Sequence, residues 1–197
     1  MQLWTIQPIE FYQQLRKDKI IYGERQRVDV DFLSPYQWLI EKMEQRIGLR
    51  PFAECSPIWA WYQCHSVQKR KPDLRYGGYL HKGTQGVRLE ICKADKDVLL
   101  SDFDLWHYPL NNWYLAESMA DADAFYQRLE DEHIAFADQE NYPSDLRQKI
   151  EQSWNKVLDL NFYADGITHL PDEKSIQATF WSLSLDEIVN VQPFIAR

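Results

Sequence analysis

Val98–Tyr114 reads VLLSDFDLWHYPLNNWY, an apolar run that gives way to two aspartates, a histidine, two asparagines and two tryptophans. Val98–Leu100 has the character of a strand. Its C-terminal end delivers Ser101, Asp102 and Asp104 into a short helical or turn segment that Pro109 interrupts, because proline cannot donate within a helix interior. Outward from this stretch, short strands lie on both sides with helices early and late and no regular strand–helix alternation. That order points to α+β rather than to a doubly wound sheet.

Toward the N-terminus, VRLEICK alternates as a strand, expected to neighbour Val98–Asp102 across a turn at Ala94–Asp97. Pro57 introduces IWAWYQC, where Ile58, Ala60 and Tyr62 face one way and Trp59, Trp61 and Gln63 the other, so both faces of that strand are expected to be covered. Leu3–Ile6 is a strand candidate, and Pro8 opens a helix to about Lys17 with Ile9, Tyr12 and Leu15 at helical spacing. Ile20–Tyr22 closes on Gly23. The spacing predicts a further helix in which Ser34 caps, Pro35 takes the first position and Gln37 completes a capping box, ending at Gly48. Toward the C-terminus, the composition shifts at Glu117 to helix formers, giving a helical insert over about 116–158 in which Ser144 caps the second helix. The strands SIQATFWSL and VNVQPFIA, with SLDEI as a turn of helix between them, close the chain. The expectation is a single α+β domain over 1–197, with a small curved mixed or antiparallel sheet, flanking helices and the insert.

Composition narrows the function classes. The 197 residues contain no Pro/Gly/Ser-rich linker, and 45% hydrophobic content excludes disorder. The apolar runs are too short to span a bilayer, and MQLWTIQP lacks a charged region followed by an apolar one, so no membrane association and a cytoplasmic location are expected. Cys55, Cys64 and Cys92 are odd in number and expected to stay reduced. The net charge of -8 argues against duplex DNA as a partner. A local patch of Lys69, Arg70, Lys71 and Arg75 reads either as a solvated loop or as a phosphate contact. Eight Trp, eleven Tyr and nine Phe against seven Gly suit a thick core or a stacking pocket.

No GxGxxG after a strand, GK[ST] phosphate loop, GxSxG elbow, HExxH or EF-hand is present, so those chemistries have no sequence support. Cys64, His65, His81, Cys92 and His107 offer no CxxC or HxxxH pair, and no metal site is expected. Asp102 and Asp104 share a face on an extended backbone, where mutual repulsion would raise one pKa; on a helix, one of Ser101, Asp102 and Asp104 would instead cap the LWHY turn. His107 reads as a general base or as a histidine satisfied by a carbonyl. Asn111 and Asn112 read as turn residues or as amides toward a base or ribose, and Arg75 as a phosphate fork or an intra-loop pair with Asp73. Trp59, Trp61, Trp106 and Trp113 are core rings or a stacking wall. The coincidence of Arg75, Asp102, Asp104, His107 and Asn112 with these rings suggests a ligand cleft lined by Trp59–Gln63 and Asp102–Asn112.

The strings PIWAWYQ (57–63), KPDLR (71–75), VLLSDFDLWHYPLNNWYL (98–115) and SIQATFWSLSLDEIVNVQPFIAR (175–197), with the opening LWTIQ (3–7), resemble those of a bacterial family of stand-alone proteins catalogued as domain of unknown function three-eight-four-one. The likeness runs nearly from end to end, is weakest over Ala116–Tyr142, and implies no activity. A fainter likeness is to small ADP-ribosyltransferase-type domains, whose opening strand, helix and glycine turn are matched in outline by Leu3–Ile6, the helix after Pro8 and Ile20–Gly23. It implies NAD or another nucleotide as ligand, with Gln177 at the last catalytic position and Thr5, Tyr62 and Gln177 converging in one cleft; Asp102 and His107, read from their own segment, are the other candidate catalytic groups, and Trp59 and Trp61 candidate ligand-binding rings. Trp4 stands where a ribose-gripping His or Arg would be, and Gln177 lacks the carboxylate that would stabilise a ribosyl cation. The competing expectations are a non-enzymatic single-stranded RNA module, with rings beside the Lys69–Arg75 patch, and a protein-interaction domain.

Overall fold

The computed structural model describes residues 1–197, apart from the side chains of Arg27 and Glu140. The chain opens with β1 (Gln2–Pro8), α1 (Ile9–Asp18) and β2 (Ile20–Glu24); two 3-10 turns, Arg25–Arg27 and Val30–Phe32, lead into α2 (Leu33–Ile47). Then come β3 (Cys55–Ser56), β4 (Ile58–Gln63), β5 (Gln85–Cys92), β6 (Leu99–Asp102), α3 (Phe103–Leu110), α4 (Met119–Asp131) and α5 (Ser144–Ser153). The chain ends with β7 (Ile176–Phe180), β8 (Ser182–Ser184) and β9 (Ile188–Ile195). The fold is α+β, with two antiparallel sheets of order β6-β7-β4-β1-β5-β9 and β3-β2-β8. Residues 1–100 with 176–197 form one compact unit, and residues 101–175 a second.

In the first unit, the first strand of the chain lies inside the larger sheet. β1 pairs with β4 at Trp4↔Trp61 and with β5 at Trp4↔Glu90, and β4 pairs with β7 at Trp61↔Gln177. Because side chains alternate across a strand, this register puts Leu3, Ala60, Leu89 and Ala178 on one face, where they form a core with Phe11 and Leu15 of α1. Leu3, Leu15 and Leu89 are fully buried, each stabilising the unit by about 1.5–3 kcal/mol relative to exposure. In the smaller sheet, Gly23 pairs with Ser56. A Cβ at Gly23 would lie 1.9 Å from the Ser56 carbonyl oxygen, so only glycine permits that approach.

Three local expectations are corrected. Ser34 does not cap α2 but lies inside it: the helix starts at Leu33, two residues before the expected first position at Pro35, because the preceding 3-10 turn, capped by Asp29, runs straight into it. Ser144 is the first residue of α5, behind Pro143, and makes no side-chain cap. β5 does not neighbour β6: it lies between β1 and β9, while β6 stands beside β7 at the far edge.

In the second unit, Ser118 caps α4 by accepting from the Asp121 N–H at 3.1 Å. Tyr114 stacks on Phe125 with centroids 4.4 Å apart, and Leu105, Leu115, Leu129 and Leu146 are buried. α5 continues into a 3-10 turn, Trp154–Leu158, whose Val157 is also buried. Among the described residues, no helix of the chain is long and apolar enough to cross a membrane.

Candidate functional site

Within the second unit, Asp102 accepts from the backbone N–H groups of Asp104 (3.0 Å) and Leu105 (3.1 Å), and so caps α3. Its other oxygen lies 3.2 Å from the ammonium of Lys174, which also donates to the Phe162 carbonyl at 2.7 Å. Asp102 and Lys174 are both buried. Such an arrangement anchors α3 and the strand before it rather than presenting a carboxylate to a ligand. Asp104 sits on the helix surface; loss of solvent around its carboxyl, and then the charge of Asp102, raise its pKa against the opposing influence of His169 and His107. His107 is exposed, its Nδ1 3.2 Å from the Asp104 carbonyl. Asn112 is exposed at φ 53, the left-handed conformation that asparagine tolerates in turns.

Within the first unit, Thr5 is fully buried; its hydroxyl donates to the Trp59 carbonyl (2.8 Å) and accepts from the Gln7 amide (2.9 Å). Tyr62 packs against the α1-side core, to which Ala178 also contributes. Gln177, between two core-facing positions and paired with Trp61, points from the opposite face. The convergence of Thr5, Tyr62 and Gln177 therefore does not form: the strand alternation separates them. Arg75 holds Asp73 through Nε and Nη2, and that contact keeps the Asp73 carboxyl down at about 2. Arg70 lies over the Tyr62 ring at 4.3 Å and donates to the Tyr62 carbonyl, while Lys71 lies 3.7 Å from Glu90. Three cations of the basic patch are thus engaged within the unit.

One of the expected residues, Trp59, lines a cavity. It lies where β1 ends and β4 begins, has a volume of about 170 Å³, and is walled by Phe11, Tyr22, Tyr36, Ile58 and Trp59, with Gln7, Glu24 and Ser56 as polar groups. The edge of the Tyr36 ring meets Trp59 at 6.1 Å; burial pushes its phenol up, against the hydrogen bond with Trp59, so it stays neutral at ordinary pH. Thr5 acts here indirectly, by fixing the Gln7 amide. On one side, Val28, Tyr36 and Ser56 are shared with a smaller depression that includes Arg25 and Arg50. On the other, Phe11, Tyr22 and Glu24 are shared with a groove of about 620 Å³ between α1 and β2. Gln7, Tyr22 and Tyr36 escaped the sequence reading because they come from three different elements, β1, β2 and α2, and none belongs to a motif; the signal available was Gly23, whose close approach marks a junction.

No curated protein and no solved structure matches the chain. The profile of the family described as Domain of unknown function (DUF3841) matches residues 2–189. That span takes in every strand around the cavity, the depression and the groove beside it and the whole second unit, and the chain belongs to this family.

Proposed function

We propose that this protein binds a nucleotide-type small molecule, of the NAD class, in the cavity between Tyr22, Tyr36 and Trp59. The observation that carries the reading is the grading of the cavity's surroundings: an aromatic wall with the Gln7 amide, fixed by Thr5, in its lining, and Arg25 and Arg50 in the depression next to it. Aromatic walls with a few placed polar groups suit a planar ring. The Gln7 amide offers both a donor and an acceptor to such a ring, and the guanidinium groups suit a phosphate. Arg50 is held by Glu44 at 2.9 Å and by the Ala53 carbonyl, whereas Arg25 is exposed at the rim. A cytoplasmic setting, with Cys55, Cys64 and Cys92 reduced, accords with such a ligand.

The test is a thermal-denaturation panel of NAD, ADP-ribose, AMP and adenosine, since a ligand of the folded state raises the midpoint by mass action. NAD or ADP-ribose is expected to raise the midpoint and adenosine to raise it less. Tyr36→Ala removes the shift, and Arg25→Glu removes the difference between phosphorylated and unphosphorylated ligands. Silence across the panel at millimolar concentration overturns the proposal.

A further inference from the structure

The larger groove differs in character from the cavity it adjoins. Glu10, Gln14 and Asp18 recur at intervals of four along α1 and form one stripe of it, facing Ile20 and Tyr22 of β2 and the ring of Phe52. Phe52 meets Tyr22 edge to face at 5.5 Å, yet Phe52 stays 44% exposed and Ile20 38%. The floor is therefore apolar and accessible, while the wall carries two carboxylates, with Glu24 at the junction with the cavity. Arg16 and Lys17 belong to the same helix but do not line the groove. Asp18 lies in the last turn of α1, where the helix dipole disfavours an anion. Its carboxylate accepts from the Gln14 amide, a neutral partner, and among the described residues it forms no ion pair.

We propose that the groove between α1 and β2 docks an extended segment of a partner protein in which arginine or lysine alternates with apolar side chains. Charge complementarity selects this occupant: the carboxylates repel a phosphate chain and attract cations, while Phe52, Ile20 and Tyr22 supply the contacts that a bare cation could not use. The length fits as well. Glu10 to Asp18 covers about 12 Å of helix, the reach of about four extended residues. The inference deepens the reading of the cavity, placing a basic polypeptide beside the bound nucleotide at Glu24, and it rests on that reading for this juxtaposition alone.

Fluorescence anisotropy of the full chain with a labelled hexapeptide alternating leucine and arginine tests it. Saturable binding is expected for this peptide and none for its counterpart with glutamate in place of arginine. Binding should fall with rising salt, and the Glu10→Gln, Asp18→Asn double variant should weaken it at least about tenfold. The melting midpoint of the double variant, compared with the parent, separates lost docking from lost folding, and Glu10→Gln alone is expected to give a smaller loss of affinity. Tyr36→Ala is expected to abolish the nucleotide response and leave peptide affinity unchanged, so failure of the cavity reading and failure of the groove reading give different results. Equal affinity of parent and double variant overturns the proposal, as does absence of peptide binding at millimolar concentration. Spermine that binds as tightly as the peptide also overturns it, because the groove would then read charge without side chains.

Discussion

Asp102 and Lys174 form a pair whose worth depends on both members. Each is buried, and the carboxylate also satisfies two N–H groups at the start of α3. Removing one partner leaves an uncompensated buried charge, so Asp102→Ala is expected to destabilise the protein by about 3–5 kcal/mol, read as a lower urea midpoint. Replacing both with apolar residues should cost less than the single change, because the desolvation penalty of Lys174 goes as well. Asp121 gives the pH counterpart. Burial would raise its carboxyl, but the Glu117 N–H, the Tyr114 hydroxyl, Lys149 and Lys156 together hold it below the ordinary 3.8. A folded-state pKa below the unfolded one means that the folded state binds fewer protons, so the contribution is complete above the unfolded value and is lost as pH falls through the folded one. Asp121→Asn should therefore lower stability by roughly 1–3 kcal/mol at pH 7. The gap between parent and variant should close below 3.8; a gap that persists in acid would refute this assignment.

At the scale of elements, the pairing of β2 with β3 turns on a single absent side chain. Gly23→Ala would place a methyl 1.9 Å from the Ser56 oxygen, a backbone atom that cannot rotate away. The strands must separate, and a loss of at least about 2 kcal/mol is expected by chemical denaturation. Gly23 and Ser56 also wall the cavity, so the variant should lose any nucleotide-dependent rise in midpoint even at temperatures where it remains folded. Elsewhere, short turns link elements through side chains: Glu187 completes the capping box with Ser184 and holds the buried Lys93 at 2.8 Å, tying the end of β5 to the turn between β8 and β9.

At the scale of the molecule, the order of strands in the larger sheet departs from their order in the chain. β1 takes an interior position from the start, and β9, made last, pairs with β5 from Gln85↔Ile195 to Ile91↔Ile188. Ladders that join such distant segments make the first unit a high contact-order structure, which folds slowly. Until β9 arrives, β5 is an unpaired edge, a template for association with other chains. A chain ending at Glu187 is expected to form aggregates detectable by light scattering at concentrations where the full chain stays dispersed. A monodisperse truncated protein would show that β9 is dispensable.

The sequence by itself determined the α+β class, the approximate places of most strands, the helix after Pro8 and the helical composition from Glu117 onward, because these depend on local spacing and turn residues. It also pointed to a cap at the head of α3 by one of Ser101, Asp102 and Asp104, and the structure gives that place to Asp102. The tertiary structure alone decided strand order, the separation of Thr5 from Gln177 onto opposite faces, the burial of Lys174 against Asp102, and the assembly of Gln7, Tyr22, Tyr36 and Trp59 around one cavity. The physical reason is range. A cap or an amphipathic stripe is settled by neighbours within a turn or two, whereas register and a cavity wall depend on which distant segments bury one another's apolar faces.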